Sequence, residues 1–348
     1  MMAAFATIGL PEVIAGLLVL ALNGYVLTGG ADYGGGVWDL LATGPRRDEQ
    51  RDLIASSIAP VWEANHVWLI VAVVLFFTAF PAAFSAVGIV LHIPLAIMLL
   101  GVVLRGSAFV FRSYGSGTRV ARRRWGLTFA VASAITPFVL GVAIGTVASG
   151  AAANAFGHVG DRSFVDVFVS PWLDWFPIAV GALTLALFAF LAAVYLAVAA
   201  TADALREDFR RRALLSAIAV FLFAALTLAT AWRGAPQIMN GVVESPWALV
   251  LQLATGAAAI TAIVALWTRR FALARFAAAA QVSLILWGWA LAQFPFIVPP
   301  TLSIRGTAAP DVTLTLLLIG VAVGAAVLIP SLRFLFRLAL SQSDHAPP

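Results

Sequence analysis

Residues Pro60–Ile70 read PVWEANHVWLI. The run sits inside an apolar stretch, 53–79, that exceeds the roughly 20 residues needed to cross a bilayer. Glu63 and His66 are three apart, so on a helix they share a face. A carboxylate at the bilayer centre costs roughly 2.5–3.5 kcal/mol on insertion scales, which makes this acid a candidate functional group. Two questions follow: what kind of chain surrounds the run, and what the acid is for.

The 348-residue chain is 62% hydrophobic and 11% charged, with a mean hydropathy of +1.00. A soluble domain carries about 25% charged residues, so the composition specifies a polytopic membrane protein. All 21 basic residues are arginine, and the net charge is +5. The positive charges fall in short connectors between apolar stretches, which argues against a nucleic-acid partner. There is no cysteine, so no disulfide, Cys-ligated iron–sulfur cluster or thiolate haem ligand can form. The N-terminal MMAAFATIGLPEVIAG has no basic leader, and the first span is expected to stay in the mature protein.

Nine stretches qualify as spans, at about 12–33, 53–79, 84–111, 125–149, 174–200, 212–232, 247–268, 273–294 and 312–336. Pro81 marks a tight turn between the second and third. Arginines cluster after every odd-numbered span, and only Arg162, Arg233 and Arg305 fall on the other side. By the positive-inside rule the N-terminus is outside and the C-terminus cytoplasmic, which agrees with an odd number of spans. The expected fold is an all-α polytopic membrane protein, a single integral-membrane domain over 1–348. The connector near 150–173 is too short for a soluble domain, and QFPFIVPP (Gln293–Pro300) reads as a helix terminator.

The first span ends in TGGADYGGGVWD, Thr28–Asp39, with five glycines. Such glycines either let another backbone approach closely or loosen the helix end. Asp32 lies about 30 Å down this span, near the cytoplasmic edge. It reads either as a solvated helix-end acid or as the first group of a proton path. Glu63 lies ~15 Å and His66 ~20 Å into the second span from the cytoplasm. Glu63 is either a proton carrier or a neutral hydrogen-bonding contact between helices. His92, expected ~18 Å from the cytoplasmic edge on the third span, is nearly level with His66, so the two histidines are candidate haem ligands. A di-iron site is rejected, because it needs two Glu-x-x-His pairs and this chain has one. Arg105 either snorkels to the interface or is a buried counter-charge to an acid or a ligand anion.

Five segments resemble the second subunit of the cytochrome bd-type quinol oxidases, including the cyanide-insensitive branch. They are GYVLTGGADYGGG (Gly24–Gly36), SIAPVWEANHVWLI (Ser57–Ile70), RGSAFVFR (Arg105–Arg112), TPFVLGVAIG (Thr136–Gly145) and FPFIVP (Phe294–Pro299). The resemblance implies two four-helix bundles plus a peripheral helix. Here that divides into a first bundle at about 10–150, a second bundle with the peripheral helix at about 170–338, and a tail at 339–348. It implies a heterodimer in the bacterial inner membrane with a haem-bearing subunit I that holds haem b and haem d, and quinol as the substrate. A small accessory subunit and bound lipid or quinone are further partners to test. This chain is implied to bind no haem or metal, and to contribute a cytoplasmic proton path for reducing oxygen to water.

Asp32 matches the second acid of the family's DGFD-like motif, and Glu63 the acid of its W[DE]xN motif, with Trp62 and Asn65 beside it. The implied proton path is therefore Glu63 as carrier, Asp32 at the entrance, and Asn65 and His66 holding waters or orienting the acid. Trp62, Trp68, Arg105 and Arg112 are expected at the subunit interface or against a quinone or lipid. The chain departs from the motifs at Gly29, Ala31 and Val110, where the family often has an acid, an aromatic and an acid. Two other functions remain open: a secondary transporter with Glu63 and His66 at a midplane site, and a cytochrome ligating haem through His66 and His92.

Overall fold

The computed structural model describes residues 8–114 and 118–343, with the side chains of all of these except 59–64, 113, 114, 119, 329, 332, 333 and 335–343. The elements in order are α1 (Leu10–Leu40), α2 (Arg47–Ala79), α3 (Pro81–Val90), α4 (His92–Tyr114), α5 (Arg119–Ala148), α6 (Ala151–Phe156) and α7 (Phe164–Phe168). There follow α8 (Trp175–Ala199), α9 (Asp203–Gly234), α10 (Pro236–Glu244), α11 (Ala248–Trp267), α12 (Phe271–Gln293), β1 (Phe296–Val298), β2 (Leu302–Ser303), α13 (Ile304–Thr307) and α14 (Asp311–Ser343). Among the described residues eight helices are long and apolar enough to cross a membrane. The number is nine if the bent pair Asn65–Ala79 with Pro81–Val90 counts as one span.

The helices start where local chemistry favours it. Pro11 sits in the first turn of α1, where its missing N–H costs nothing, and Glu12 accepts the Gly9 N–H at 2.9 Å. Thr118 caps α5 through the Ala121 N–H, and Asp174 caps α8. Pro137 lies inside α5, and the hydroxyls of Ser133 and Thr136 there donate to the carbonyls of Phe129 and Ala132. Such local side-chain bonds accompany proline in membrane helices.

Three segments differ from the sequence reading. The third expected span, 84–111, is two helices: α3 stands at 115° to the second half of α2 and ends at Val90, and α4 starts at His92. Pro94 accounts for the break. It has no N–H to give the Val90 carbonyl, and its ring would crowd that oxygen in a continuous helix. The connector at 150–173 folds as α6, α7 and a 3-10 turn at Ser170–Trp172. Beyond Gln293 the chain forms a small antiparallel ribbon, pairing Phe296 with Ser303, an element that an all-α reading did not contain.

α8 is well enclosed and packs on α9, α5 and α1. Its Phe188, Phe190, Leu191 and Val194 are buried. α1 also packs on α2, α4 packs on α5, and α11 on α12. α14 lies against α1 and α2 although it comes last in sequence, and Leu316, Ile319, Val323 and Val327 on it are exposed. Such apolar exposure suits contact with acyl chains rather than water.

The glycines of the first span serve close approach, and α1 runs unbroken through them to Leu40. A Cβ at Gly34 would collide with the Phe188 carbonyl of α8, and one at Gly36 with the Ser133 side chain of α5. Without a side chain at Gly34 the backbones of α1 and α8 meet directly, and at Gly36 the Ser133 side chain of α5 packs onto the α1 backbone, which is how small residues drive helix association in lipid.

Candidate functional site

That close packing buries Asp32. Its side chain is 0% exposed, and that of Arg105 on α4 is 1% exposed. The Arg105 Nη2 forms an ion pair with Asp32 Oδ1 and also donates to the Asp32 carbonyl at 3.2 Å. The other carboxylate oxygen, Oδ2, accepts from Asn65 Nδ2 of α2 at 3.2 Å. Asn65 Oδ1 in turn accepts from the Thr28 hydroxyl at 3.2 Å, so its amide is held at both ends. The Arg105 guanidinium lies between two rings, with its Cζ 4.9 Å from the centroid of Tyr33 and 4.9 Å from that of Phe129. Cation–π contact of this kind is strongest away from water.

Of the readings of Arg105, the structure has the buried counter-charge to an acid: it lies inside the chain and pairs with Asp32, not at the edge of the membrane. The physical reason is the cost of an isolated buried carboxylate, which a paired guanidinium offsets. Asp32 is accordingly not a solvated helix-end acid. One step nearer the arginine-rich end, Arg112 repeats the arrangement by donating to Asp39 at 2.9 Å, and Arg51 approaches the same carboxylate at 3.6 Å. Asp32 and Asp39 are seven apart, as are Arg105 and Arg112, so α1 and α4 run parallel with two ion-pair rungs two turns apart.

Of the other candidates, Glu63 and Trp62 lie on α2, and their side chains are outside the described residues. His66 is half-buried and close enough to Asp32 to act on it electrostatically. Trp68 lies over Gly24 of α1, where any Cβ would meet its indole at 2.6 Å. Much of that side chain is therefore used in packing α2 on α1 within the chain. His92 is exposed at the start of α4 and bonds the Ile89 carbonyl at 2.8 Å. Its ring sits edge-on to Phe168 and Phe164 of α7. His92 was read as a buried residue; it is instead on the outside of the bundle, against α7. Among the described residues no group of three acids or histidines could hold a metal ion.

Thr28, Tyr33, Phe129, Asp39 and Arg51 were not anticipated as parts of the site. The matched seven-residue spacings of the acids and arginines were the signal that could have found Asp39.

Fold and site together define a multi-pass α-helical membrane protein with a carboxylate–guanidinium pair sealed in its interior. The chain belongs to the family described as cytochrome bd terminal oxidase subunit II, which it matches over residues 10–339. It is 33% identical over 138 residues to the cytochrome bd-I ubiquinol oxidase subunit 2 of Escherichia coli (strain K12), covering 40% of this chain and 36% of that one. It is 33% identical over 156 residues to the cytochrome bd ubiquinol oxidase subunit 2 of Bacillus subtilis (strain 168), covering 44% of this chain and 45% of that one. The chain thus spans less than half the length of either relative in these alignments. It also resembles a chain in the structure of the bd oxidase from Geobacillus thermodenitrificans, with TM-score 0.78 and 22% identity, covering 94% of this chain and 98% of that one. At that identity the likeness speaks for the fold.

Proposed function

We propose that this chain is the haem-free membrane subunit of a bd-type quinol:oxygen oxidoreductase of the bacterial inner membrane. In this reading it has nine spans in two four-helix bundles plus a peripheral helix, with its N-terminus outside. It forms a heterodimer with a subunit that carries the haems b and d, where quinol is oxidised and oxygen is reduced to water. Its own contribution is to support that partner and to bring protons from the cytoplasmic, arginine-rich end.

The observation that carries the proton role is the convergence of Asp32, Asn65 and His66 inside an apolar bundle, with Glu63 two residues from Asn65 on α2. Asp32 stands at the entrance as half of an ion pair. Because Arg105 balances its charge, the charge that changes as a proton passes is carried by Glu63. Asn65 is fixed between Thr28 and Asp32, and it holds this stretch of α2 against α1. Water can bridge the gaps between such groups.

The test is Glu63→Gln in the assembled complex. The haem absorbance should be unchanged, and quinol-driven oxygen consumption should fall by about 100-fold or more, the lower end of the range for loss of a proton-transfer group. A wild-type rate at neutral pH would overturn the proton role. Purification of the chain alone and colourless would overturn the oxidase reading itself.

A further inference from the structure

Where α1 ends and α2 and α5 begin, the molecule has an open cleft of about 660 Å³. Its walls carry Arg47, Arg51, Arg112, Arg122, Arg123 and Arg124. Against these six stand three carboxylates, those of Asp39, Asp48 and Asp52. Asp39 already engages Arg51 and Arg112. The side chains of Arg47, Arg122, Arg123 and Arg124 are exposed and make no ion pair among the described residues. Arginine clustered in this way suits phosphate, which accepts paired N–H donors from a guanidinium.

The wall of the cleft is not polar throughout. Val120 and Leu127 of α5 form part of its wall and are 62% and 57% exposed. Val131 and Ile135 follow Leu127 at successive helical turns and are also exposed. From Leu127 to Ile135 this apolar stripe covers ~12 Å, close to the ~15 Å of one leaflet of a ~30 Å hydrocarbon core. A basic pocket at the head of a lipid-facing stripe has the form of a binding site for an amphiphile.

We propose that this cleft seats the headgroup of an anionic phosphoglycerol lipid, with an acyl chain along Leu127, Val131 and Ile135. The phosphate would take the unpaired arginines, and the glycerol hydroxyls would donate to Asp48 and Asp52. A choline headgroup cannot do this, because its quaternary ammonium adds a cation to an arginine cluster and has no hydroxyl donor. A soluble phosphate would gain nothing from the stripe. The site stands on its own geometry, whether or not the proton path reading holds.

The experiment places the assembled complex in nanodiscs of phosphatidylcholine with a minor fraction of phosphatidylglycerol, and counts the lipids retained by native mass spectrometry. Wild type should retain phosphatidylglycerol in preference. The triple variant R122Q/R123Q/R124Q should bind it about fivefold more weakly per arginine removed, roughly 100-fold in all. Equal retention of the two lipids by wild type would overturn the proposal, as would unchanged retention by the triple variant. Displacement of the lipid by inorganic phosphate at matched concentration would also overturn it, by revealing a soluble-anion site. If the triple variant does not assemble, the headgroup preference of wild type decides alone.

Discussion

Arg105 on α4 closes on Asp32 of α1, 73 positions away, in an ion pair buried inside the chain. Both side chains are sealed by Tyr33, Phe129 and Asn65. Removing one partner of such a pair leaves an uncompensated buried charge, which costs about 3–5 kcal/mol, whereas replacing both can be close to neutral. Asp32→Asn and Arg105→Gln should therefore each shorten the half-life of the assembled complex on heating, and the double variant should recover most of the loss. A double variant no more durable than the singles would show that the pair does not act as a unit. Arg105→Lys should not rescue, since an ammonium cannot reach both the carboxylate and the carbonyl of Asp32 while lying flat between two rings.

Gly34 offers a test of the close approach between α1 and α8. Gly34→Ala drives a methyl into the Phe188 carbonyl, and overpacking of this kind costs typically about 1–3 kcal/mol. Gly16 on the same helix has open space at its Cβ position, so Gly16→Ala should be neutral or stabilising by about 0.5–1 kcal/mol, the usual gain for alanine over glycine in a helix. Thermal inactivation of the two variants separates the readings. Equal behaviour would mean that the small-residue contact does not hold α1 in place.

The membrane character and most of the spans were legible because a helix in lipid needs an uninterrupted apolar run, and hydropathy reports that directly. The break at Leu91 was not legible, because the effect of Pro94 falls four residues upstream, on the Val90 carbonyl. Asp32 was read as a solvated helix-end acid or the start of a proton path, and Arg105 as a candidate buried counter-charge, but nothing joined the two. The partner depends on α1 and α4 lying side by side, which no local pattern encodes. The equal spacing of Asp32 with Asp39 and of Arg105 with Arg112 carried that information, and it becomes readable once the two helices are taken as parallel and adjacent.

Asn65 spends its amide on two neighbours, donating to Asp32 and accepting from Thr28. Asn65→Leu would leave Asp32 Oδ2 without this donor, a loss of roughly 1–3 kcal/mol for a buried group. It would also free this turn of α2 from its fixed contact with α1. The complex should assemble with unchanged haem absorbance and consume oxygen more slowly. Thr28→Val should have a smaller effect, because the Thr28 hydroxyl also donates to the Gly24 carbonyl of its own helix at 2.8 Å and its loss leaves Asn65 bound to Asp32. An oxygen-consumption rate in Asn65→Leu equal to that of wild type would separate this residue from proton delivery.

Asp208 of α9 makes a contrasting ion pair at the arginine-rich end. Arg46 grips it with Nε at 2.9 Å and Nη2 at 2.6 Å, and Gln50 adds a third bond at 3.0 Å. Gln50 also accepts from Arg212, so the network ties α9 to the start of α2. The geometry is two-pronged, but Arg46 is 38% exposed, and exposed pairs are weakened by water and salt. Asp208→Asn should therefore cost no more than about 1 kcal/mol, well below the cost of Asp32→Asn, and the difference from wild type should shrink at high ionic strength. The Asp32→Asn defect should be insensitive to salt, because no counter-ion reaches a side chain that is 0% exposed. Inactivation rates of the two variants at low and high salt check both statements. A salt-sensitive Asp32→Asn defect would mean that solvent enters between α1 and α4.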